Sequence, residues 1–294
     1  MHYTEPIYRH PMEANSVLIE LTTGCSHNKC AFCSFFNGVK FRPAPLEHIE
    51  QDFDEVKQFG PQTTRFFGCG GDAFCLPSKR LINIASMMRT RFPQATMGMY
   101  ARISNMRNKT VNDLRELRRL GINGIYIGVE SADDAVLARM NKGYGAAEVL
   151  DACQKLEVAG IEYYLIYLGG LAGAGACVQS ALTSLEVINQ LHPAWLSMST
   201  CTTVPDTPLY DDVLMGRFTP PSERERLQEQ IALLRNLKIN TRLYGYTRSN
   251  SVQFGGEFPQ NKAAILGRLE RAEARIGQEE EEELARQRRR ITRI

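Results

Sequence analysis

The strongest constraint on what this chain can fold into is an alternation of short apolar runs with helical patterns, repeated along its first 200 residues. The run SVLIEL (16–21) reads as a strand. After a loop it is followed by PLEHIEQDFDEVKQFG (45–60), a helical pattern opened by proline and closed by glycine. The pair recurs as TRFFG (64–68) with SKRLINIASMMRTRF (78–92), and as TMGMYARI (96–103) with TVNDLRELRRLG (110–121). It recurs again as GIYIGVE (124–130) with AAEVLDACQKLEVAG (146–160), and as IEYYLIYLG (161–169) with QSALTSLEVINQL (179–191). AWLSMST (194–200) reads as the sixth strand. Parallel neighbours need long crossovers, which are usually helical, so this order predicts an α/β fold with a parallel sheet under helices. Its natural closure is a partial (βα)6 TIM-like barrel, with chemistry at the C-terminal ends of the strands.

Beyond residue 200 the alternation breaks into a proline-containing loop, TTVPDTPLY (202–210), and then a helical stretch, SERERLQEQIALLRNL (222–237). The tail GQEEEEELARQRRRITRI (277–294) reads as a charged helix in which Glu282 and Arg286 stand four apart, the favourable order for an ion pair. The expected organisation is a lead-in (1–15), a core barrel (16–220) and a mainly helical C-terminal extension (221–294). At 43% hydrophobic and 23% charged residues, the chain can bury a core without disulfide staples. A net charge of +2 does not support nucleic-acid binding by charge. No apolar run approaches the roughly 18 residues of a membrane span, and the N-terminus lacks a leader pattern, so no membrane partner and a cytoplasmic location are expected.

In that reducing compartment, clustered cysteines bind metal or do redox chemistry more often than they form disulfides. GCSHNKCAFCSFF (24–36) puts Cys25, Cys30 and Cys33 on the loop after the first strand. Structural zinc usually takes four ligands as two separated pairs, and there is no second C-x-x-C. A zinc site completed by His27 or a distant cysteine stays open. Three thiolates on one loop suit a 4Fe-4S cluster with one iron left for another ligand. The other cysteines, Cys69, Cys75, Cys153, Cys177 and Cys201, form no second cluster signature. Cys69, Cys75 and Cys201 fall near strand ends, where a hydrogen-donor or thiyl role stands beside the ordinary one of a small core residue.

Further motifs stand in order at the strand ends: GCGGDAF (68–74), YARIS (100–104), GVESADDAVLARMNKG (128–143) and LGGLAGAG (168–175). With Phe32 directly before Cys33, the series resembles the radical S-adenosylmethionine (SAM) enzyme superfamily over about 16–210. VPDTPLY (204–210) is similar to the P-G-T-x-L ending of its coproporphyrinogen-oxidase-like and methylthiotransferase-like branches. The first cysteine gap, C-x4-C-x2-C, is one residue longer than the usual C-x3-C-x2-C, which a surface loop absorbs at small cost.

The resemblance implies that Cys25, Cys30 and Cys33 hold a 4Fe-4S cluster whose open iron is chelated by SAM. Gly70, Gly71 and Asp72 would receive the amino group of SAM. Glu130 would contact its ribose or methionine end, with Ser131 alongside, and Lys142 would meet the carboxylate. Gly169 and Gly170 would lie against the adenosine. Tyr100, Arg102 and Ser104 share the rim; Arg102 reaches SAM or substrate, or else makes an outer ion pair with a helix. Cys201 and Tyr167 are the candidates for a catalytic role, and Tyr163 and Tyr164 read either as substrate-facing rings or as core.

The implied activity is reductive cleavage of SAM, fed by a donor such as flavodoxin or ferredoxin. It yields methionine and a 5'-deoxyadenosyl radical that takes hydrogen from an unidentified substrate. Two other classes stay open: a non-catalytic sensor of cluster and SAM, and a zinc-binding module that meets RNA through its tail. Among enzymes, tetrapyrrole chemistry stands beside modification of RNA, a peptide or a small metabolite.

Overall fold

Each apolar run of the alternation becomes a strand, and each periodic segment after it a helix. The computed structural model describes residues 1–4 and 6–291. The chain runs β1 (Val17–Glu20), β2 (Thr22–Thr23), β3 (Arg42–Pro43), α1 (Leu46–Phe59), β4 (Arg65–Cys69), α2 (Ser78–Arg91), β5 (Thr96–Ala101), α3 (Val111–Arg119) and β6 (Ile122–Glu130). It continues with α4 (Asp134–Arg139), α5 (Ala146–Ala159), β7 (Tyr163–Gly169), α6 (Cys177–Ile188), β8 (Trp195–Thr200), α7 (Pro208–Leu214) and α8 (Glu223–Asn236). Last come β9 (Thr241–Tyr244), β10 (Gly255–Phe258), α9 (Lys262–Arg275) and α10 (Gln278–Arg289). Position 5 of the lead-in and 292–294 of the tail read as a helix lie outside the described residues.

The strand order is β1-β4-β5-β6-β7-β8-β9-β10 in a mostly parallel sheet, with β2 and β3 as a separate antiparallel pair. The α/β class and the six strands of the alternation are therefore present. The C-terminal region is helical as expected but adds two strands, β9 parallel to β8 and β10 antiparallel to β9. Each has four residues, too few for a period-two signal, and Gly255 and Gly256 are poor strand formers. The second half of the expected loop TTVPDTPLY is also helical. The Thr207 side chain caps α7 by accepting from the Tyr210 N–H, and Pro208 occupies its first turn.

The chain divides into two compact units. One comprises Met1–Asn28, Phe35–Gly128 and Ala152–Tyr164; the other comprises Lys29–Ser34, Val129–Asp151 and the residues from Leu165 onward. In the first, β1, β4, β5 and β6 pair in parallel register, and their apolar faces meet those of α1 and α2. Phe66 of β4 sits edge-on to Phe53 of α1 at 5.4 Å and to Phe92, just past α2, at 5.0 Å. Such ring pairs add about 0.5–1.5 kcal/mol beyond their area. At the opposite end of these strands Glu13 is buried and accepts from Arg65 Nε and from the Tyr126 hydroxyl at 3.0 Å, which closes that end with a satisfied polar group.

In the second unit α8 packs on α6 and α9, and its Leu227, Leu233 and Leu234 are buried. Among the described residues no helix is long and apolar enough to cross a membrane.

Candidate functional site

In the first unit the backbone after β4 comes so close to the cysteine loop that side chains are excluded. Gly70 has φ +138°, and a Cβ there would lie 1.9 Å from Thr22 Oγ1. A Cβ on Gly71 would lie 2.7 Å from both Cys25 Cβ and Phe36 Cε2. The Gly71 N–H donates to the Gly24 carbonyl at 2.8 Å. Asp72 is fully buried, and its carboxylate accepts from Ser26 N (2.7 Å), Ser26 Oγ (2.5 Å) and Asn105 Nδ2 (3.3 Å). This carboxylate therefore anchors the start of the cysteine loop.

Burial, with the Asp72 charge adding to it, pushes the Cys25 thiol up to about 11, so binding to metal there requires loss of a proton. Asn105 in turn fixes Arg102, whose N–H donates to Asn105 Oδ1 at 2.7 Å and whose Nη1 donates to Ser104 Oγ at 3.0 Å. The Asn105 side chain thus links Asp72 to Arg102, whose guanidinium in turn holds Ser104. Tyr100, partly exposed, packs edge-on to Phe67 and Tyr126 at 5.3 and 5.9 Å. Tyr164 sits 4.5 Å from Tyr126, and Tyr163 is buried with its hydroxyl on Glu157, so both are packing residues.

Sequence reasoning missed Lys109 because a lone lysine before a helix reads as solvated. It is only 4% exposed, donates to the Leu76 carbonyl at 2.9 Å and lies 5.0 Å from the Phe74 ring centroid. Burial lowers its pKa to about 8. The thiols of Cys69 and Cys75 are pushed by burial up to about 12.

In the second unit the turn from Cys30 to Cys33 closes on itself through Cys33 N to Cys30 O at 3.2 Å and is tied down on both sides. The Ala31 N–H donates to the Met140 carbonyl (3.0 Å), and its carbonyl accepts from Leu209 N at the start of α7 (2.8 Å). Asn141 Nδ2 donates to the Lys29 carbonyl at 3.0 Å. Phe32 is buried among Val136, Met140, Leu168, Leu171, Cys201 and Phe218, with Cys30 and Cys33 at the edge of that cluster.

Over the Phe32 ring, 5.6 Å from its centroid, stands Lys142 Nζ, only 3% exposed and 3.3 Å from Glu130 Oε1. Glu130 ends β6 at φ +66°, a left-handed conformation that costs a non-glycine residue on the order of 1 kcal/mol or more. Ser131 Oγ meets Ser184 Oγ at 3.0 Å and accepts from Asp133 N, so it shapes the entry to α4.

The end of β7 is held by two side chains of α8 that the sequence alone did not single out. Glu229 Oε1 accepts from the Tyr167 hydroxyl (2.8 Å), and Oε2 accepts from Gly170 N (2.7 Å). A Cβ on Gly169 would lie 3.0 Å from Glu229 Oε2, and one on Gly170 would lie 2.6 Å from Arg226 Nη1. Gly170, at φ +86°, and Gly169 leave room for these charged groups. Arg226 Nη1 donates to the Cys201 carbonyl at 2.8 Å, and Cys201 N donates to the Gly169 carbonyl at 2.7 Å. Burial raises Glu229 to about 7 despite its hydrogen bonds and Arg226. Burial likewise keeps Tyr167 protonated and pushes the Cys201 thiol up to about 11. In a sequence, charges at 226 and 229 on a helix look like a solvated face.

Residues 19–171, just over half of the chain, match the radical SAM superfamily, and the chain belongs to that superfamily. Members of it use a 4Fe-4S cluster and SAM. Among curated proteins the chain is similar to the heme chaperone HemW of Escherichia coli (strain K12), 24% identical over 186 residues, covering 61% of this chain and 49% of that one. It is also similar to HemW of Buchnera aphidicola subsp. Schizaphis graminum, 23% identical over 193 residues, covering 62% and 50%. The chain thus spans about half the length of the curated relatives it matches.

Among solved structures, the coproporphyrinogen III oxidase HemN from Escherichia coli, described as a radical SAM enzyme, superposes with a TM-score of 0.56 at 17% identity, covering 75% of this chain and 52% of that one. Methylornithine synthase (PylB) gives 0.53 at 16% identity, covering 76% and 63%. The radical SAM methyltransferase TsrM from Kitasatospora setae gives 0.57 at 15%, covering 70% and 40%. These likenesses establish a fold like the partial barrels of that superfamily.

The donor set fits the cofactors of the superfamily. None of the eight cysteines is in a disulfide, and Cys25, Cys30 and Cys33 are each only partly buried. Three thiols on one loop suit a cluster with one open iron. Among the described residues no three His, Cys, Asp or Glu side chains converge as the shell of a single ion does.

Proposed function

We propose that the chain is a radical SAM enzyme in which Cys25, Cys30 and Cys33 ligate a 4Fe-4S cluster and leave its fourth iron to SAM. When bound and reduced by a flavodoxin- or ferredoxin-like donor, the cluster supplies the electron that splits SAM into methionine and a radical able to take hydrogen from substrate.

The protein's own residues bind, orient and exclude water. Gly70 and Gly71 offer backbone to the amino group of SAM with Asp72 behind them, and Arg102 and Ser104 line the same rim. Lys142 presents its charge to the carboxylate, Glu130 meets the ribose or methionine end with Ser131 beside it, and Gly169 and Gly170 lie against the adenosine. Phe32 and the apolar cluster around it cover one side of Cys30 and Cys33. The reaction is assigned to the cytoplasm, with a substrate still to be identified.

The observation that carries this reading is the buried Lys142, paired with Glu130 and set over the ring of Phe32, a residue of a cysteine turn tied down on both sides. Taking the Lys142 charge out of water is costly even with a partner, and Glu130 holds a strained backbone as well, a combination that suits a site built for a ligand. The test is anaerobic reconstitution with iron and sulfide, addition of dithionite and SAM, and mass spectrometry for 5'-deoxyadenosine. Release is expected from the wild type and is lost in Cys30→Ala.

A second reading, a protein that binds cluster and SAM without consuming SAM, is favoured by the name of the curated relatives, heme chaperone. An intact cluster without 5'-deoxyadenosine, together with stoichiometric heme binding by absorbance titration, selects it.

A further inference from the structure

Apart from the residues assigned to cluster and SAM, the second unit has a polar cavity of about 260 Å³ where α10 meets the loop after β9. β8 and β9 are parallel, so the cavity opens at their C-terminal ends, the face on which such folds place their chemistry. Arg248, Ser251, Glu223 and Arg288 line it, with Leu284 and Ile291 as an apolar side.

The lining charges are unequally spent. Glu223 is buried, and its carboxylate accepts from Arg288 Nε and Nη2 and from Ser251 Oγ at 2.7 Å, with Arg226 Nε 3.6 Å away. Burial would raise its pKa, but these partners outweigh burial and hold it low, so its negative charge is present and already matched by two guanidiniums. Arg288 is nearly used up, because Nη1 also donates to Thr200 Oγ1 (3.1 Å) and Thr202 Oγ1 (3.2 Å), which leaves a single N–H on Nη2. Glu281, on the same helix, is committed to the backbone N–H groups of Glu223 and Arg224.

Arg248 is different. It is exposed at the cavity and makes no hydrogen bond or ion pair among the described residues, so its whole planar fork is available. The local balance is a positive surplus, in a pocket with hydroxyls and one apolar wall.

We infer that this cavity binds the oxyanion group, carboxylate or phosphate, of a small polar metabolite, with Arg248 making the two-point contact and the leftover N–H of Arg288 a third. A guanidinium fork matches both oxyanions bidentately, which an ammonium cannot do. Binding itself is independent of the radical SAM reading. Its assignment as the anchor of the substrate rests on that reading, because the cavity lies on the reactive face of the strands.

The experiment is isothermal titration calorimetry of the full chain at low ionic strength with two probes, citrate and pyrophosphate, on wild type, Arg248→Gln and Arg248→Lys. Arg248 supports nothing else in the structure, so both variants keep the wild-type melting temperature. Saturable binding is expected, weakened about tenfold or more by Arg248→Gln and by a smaller factor by Arg248→Lys. The preferred probe identifies a carboxylate or a phosphate ligand, and equal affinity identifies a site that reads charge alone. No binding of either probe, or an isotherm unchanged in Arg248→Gln, overturns the inference.

Wild-type 5'-deoxyadenosine release, measured in parallel, separates the two claims. Release without probe binding refutes the cavity alone, whereas Arg248-dependent binding without release refutes only the radical reading.

Discussion

Replacing Glu229 with glutamine should change how stability responds to pH, by an amount that follows from burial. The carboxyl is raised from an ordinary 4.5 to about 7, first by burial and against the hydrogen bonds from Tyr167 and Gly170. The native state therefore holds a proton through a range in which the unfolded chain has lost it. With fewer protons on the unfolded state, the contribution of this group to stability is fully present below 4.5 and declines as pH rises, levelling off above 7.

Between pH 5 and pH 8 that decline is about 2.5 kcal/mol, with one pKa unit taken as about 1.4 kcal/mol. His10 runs the other way. Burial lowers it to about 4, so its contribution grows as pH rises towards 6.5, and the wild-type curve alone mixes the two. The difference between wild type and Glu229→Gln isolates the carboxyl. Urea denaturation of both proteins at several pH values should give a stability difference that shifts by about 2.5 kcal/mol towards the variant from pH 5 to pH 8. A difference independent of pH would refute the argument that burial dominates at this site.

Three further perturbations follow from the geometry. Lys142→Met leaves the half-buried Glu130 carboxylate without its cation and should cost about 1–3 kcal/mol in chemical denaturation, part of which returns in the Glu130→Gln/Lys142→Met double variant. Gly71→Ala puts a Cβ 2.7 Å from Cys25 Cβ; a loss of about 1–3 kcal/mol and a lower iron content after reconstitution, with unchanged circular dichroism, are expected. Arg288→Ala removes the partner of Glu223 and the contacts to Thr200 and Thr202, so limited proteolysis should cut within 277–291 faster than in the wild type, with a stability loss of about 3 kcal/mol.

Taken alone, the sequence determines the elements that carry a periodic signal. β1, β4, β5, β6, β7 and β8 with their helices are legible because apolar side chains repeat at strand or helix spacing, and the expected pair of Glu282 with Arg286 forms at 3.9 Å, beside a closer one to Glu283. The cysteine loop and the motifs at strand ends are legible for a related reason. Chemistry at such sites demands particular residue types, and these stand in a fixed order along the chain.

Only the tertiary structure decides how partners far apart in sequence spend one another's charges and hydrogen bonds. Asp72 is committed to Ser26 and Asn105. Tyr167, a candidate for chemistry, donates to a glutamate 62 positions later. Cys201 is buried in an apolar cluster with its carbonyl on Arg226. Gly169 and Gly170 admit Glu229 and Arg226 from a helix whose charges look solvated in the sequence. Desolvation and pairing depend on distance in space, and a linear pattern does not contain that distance until the chain has packed.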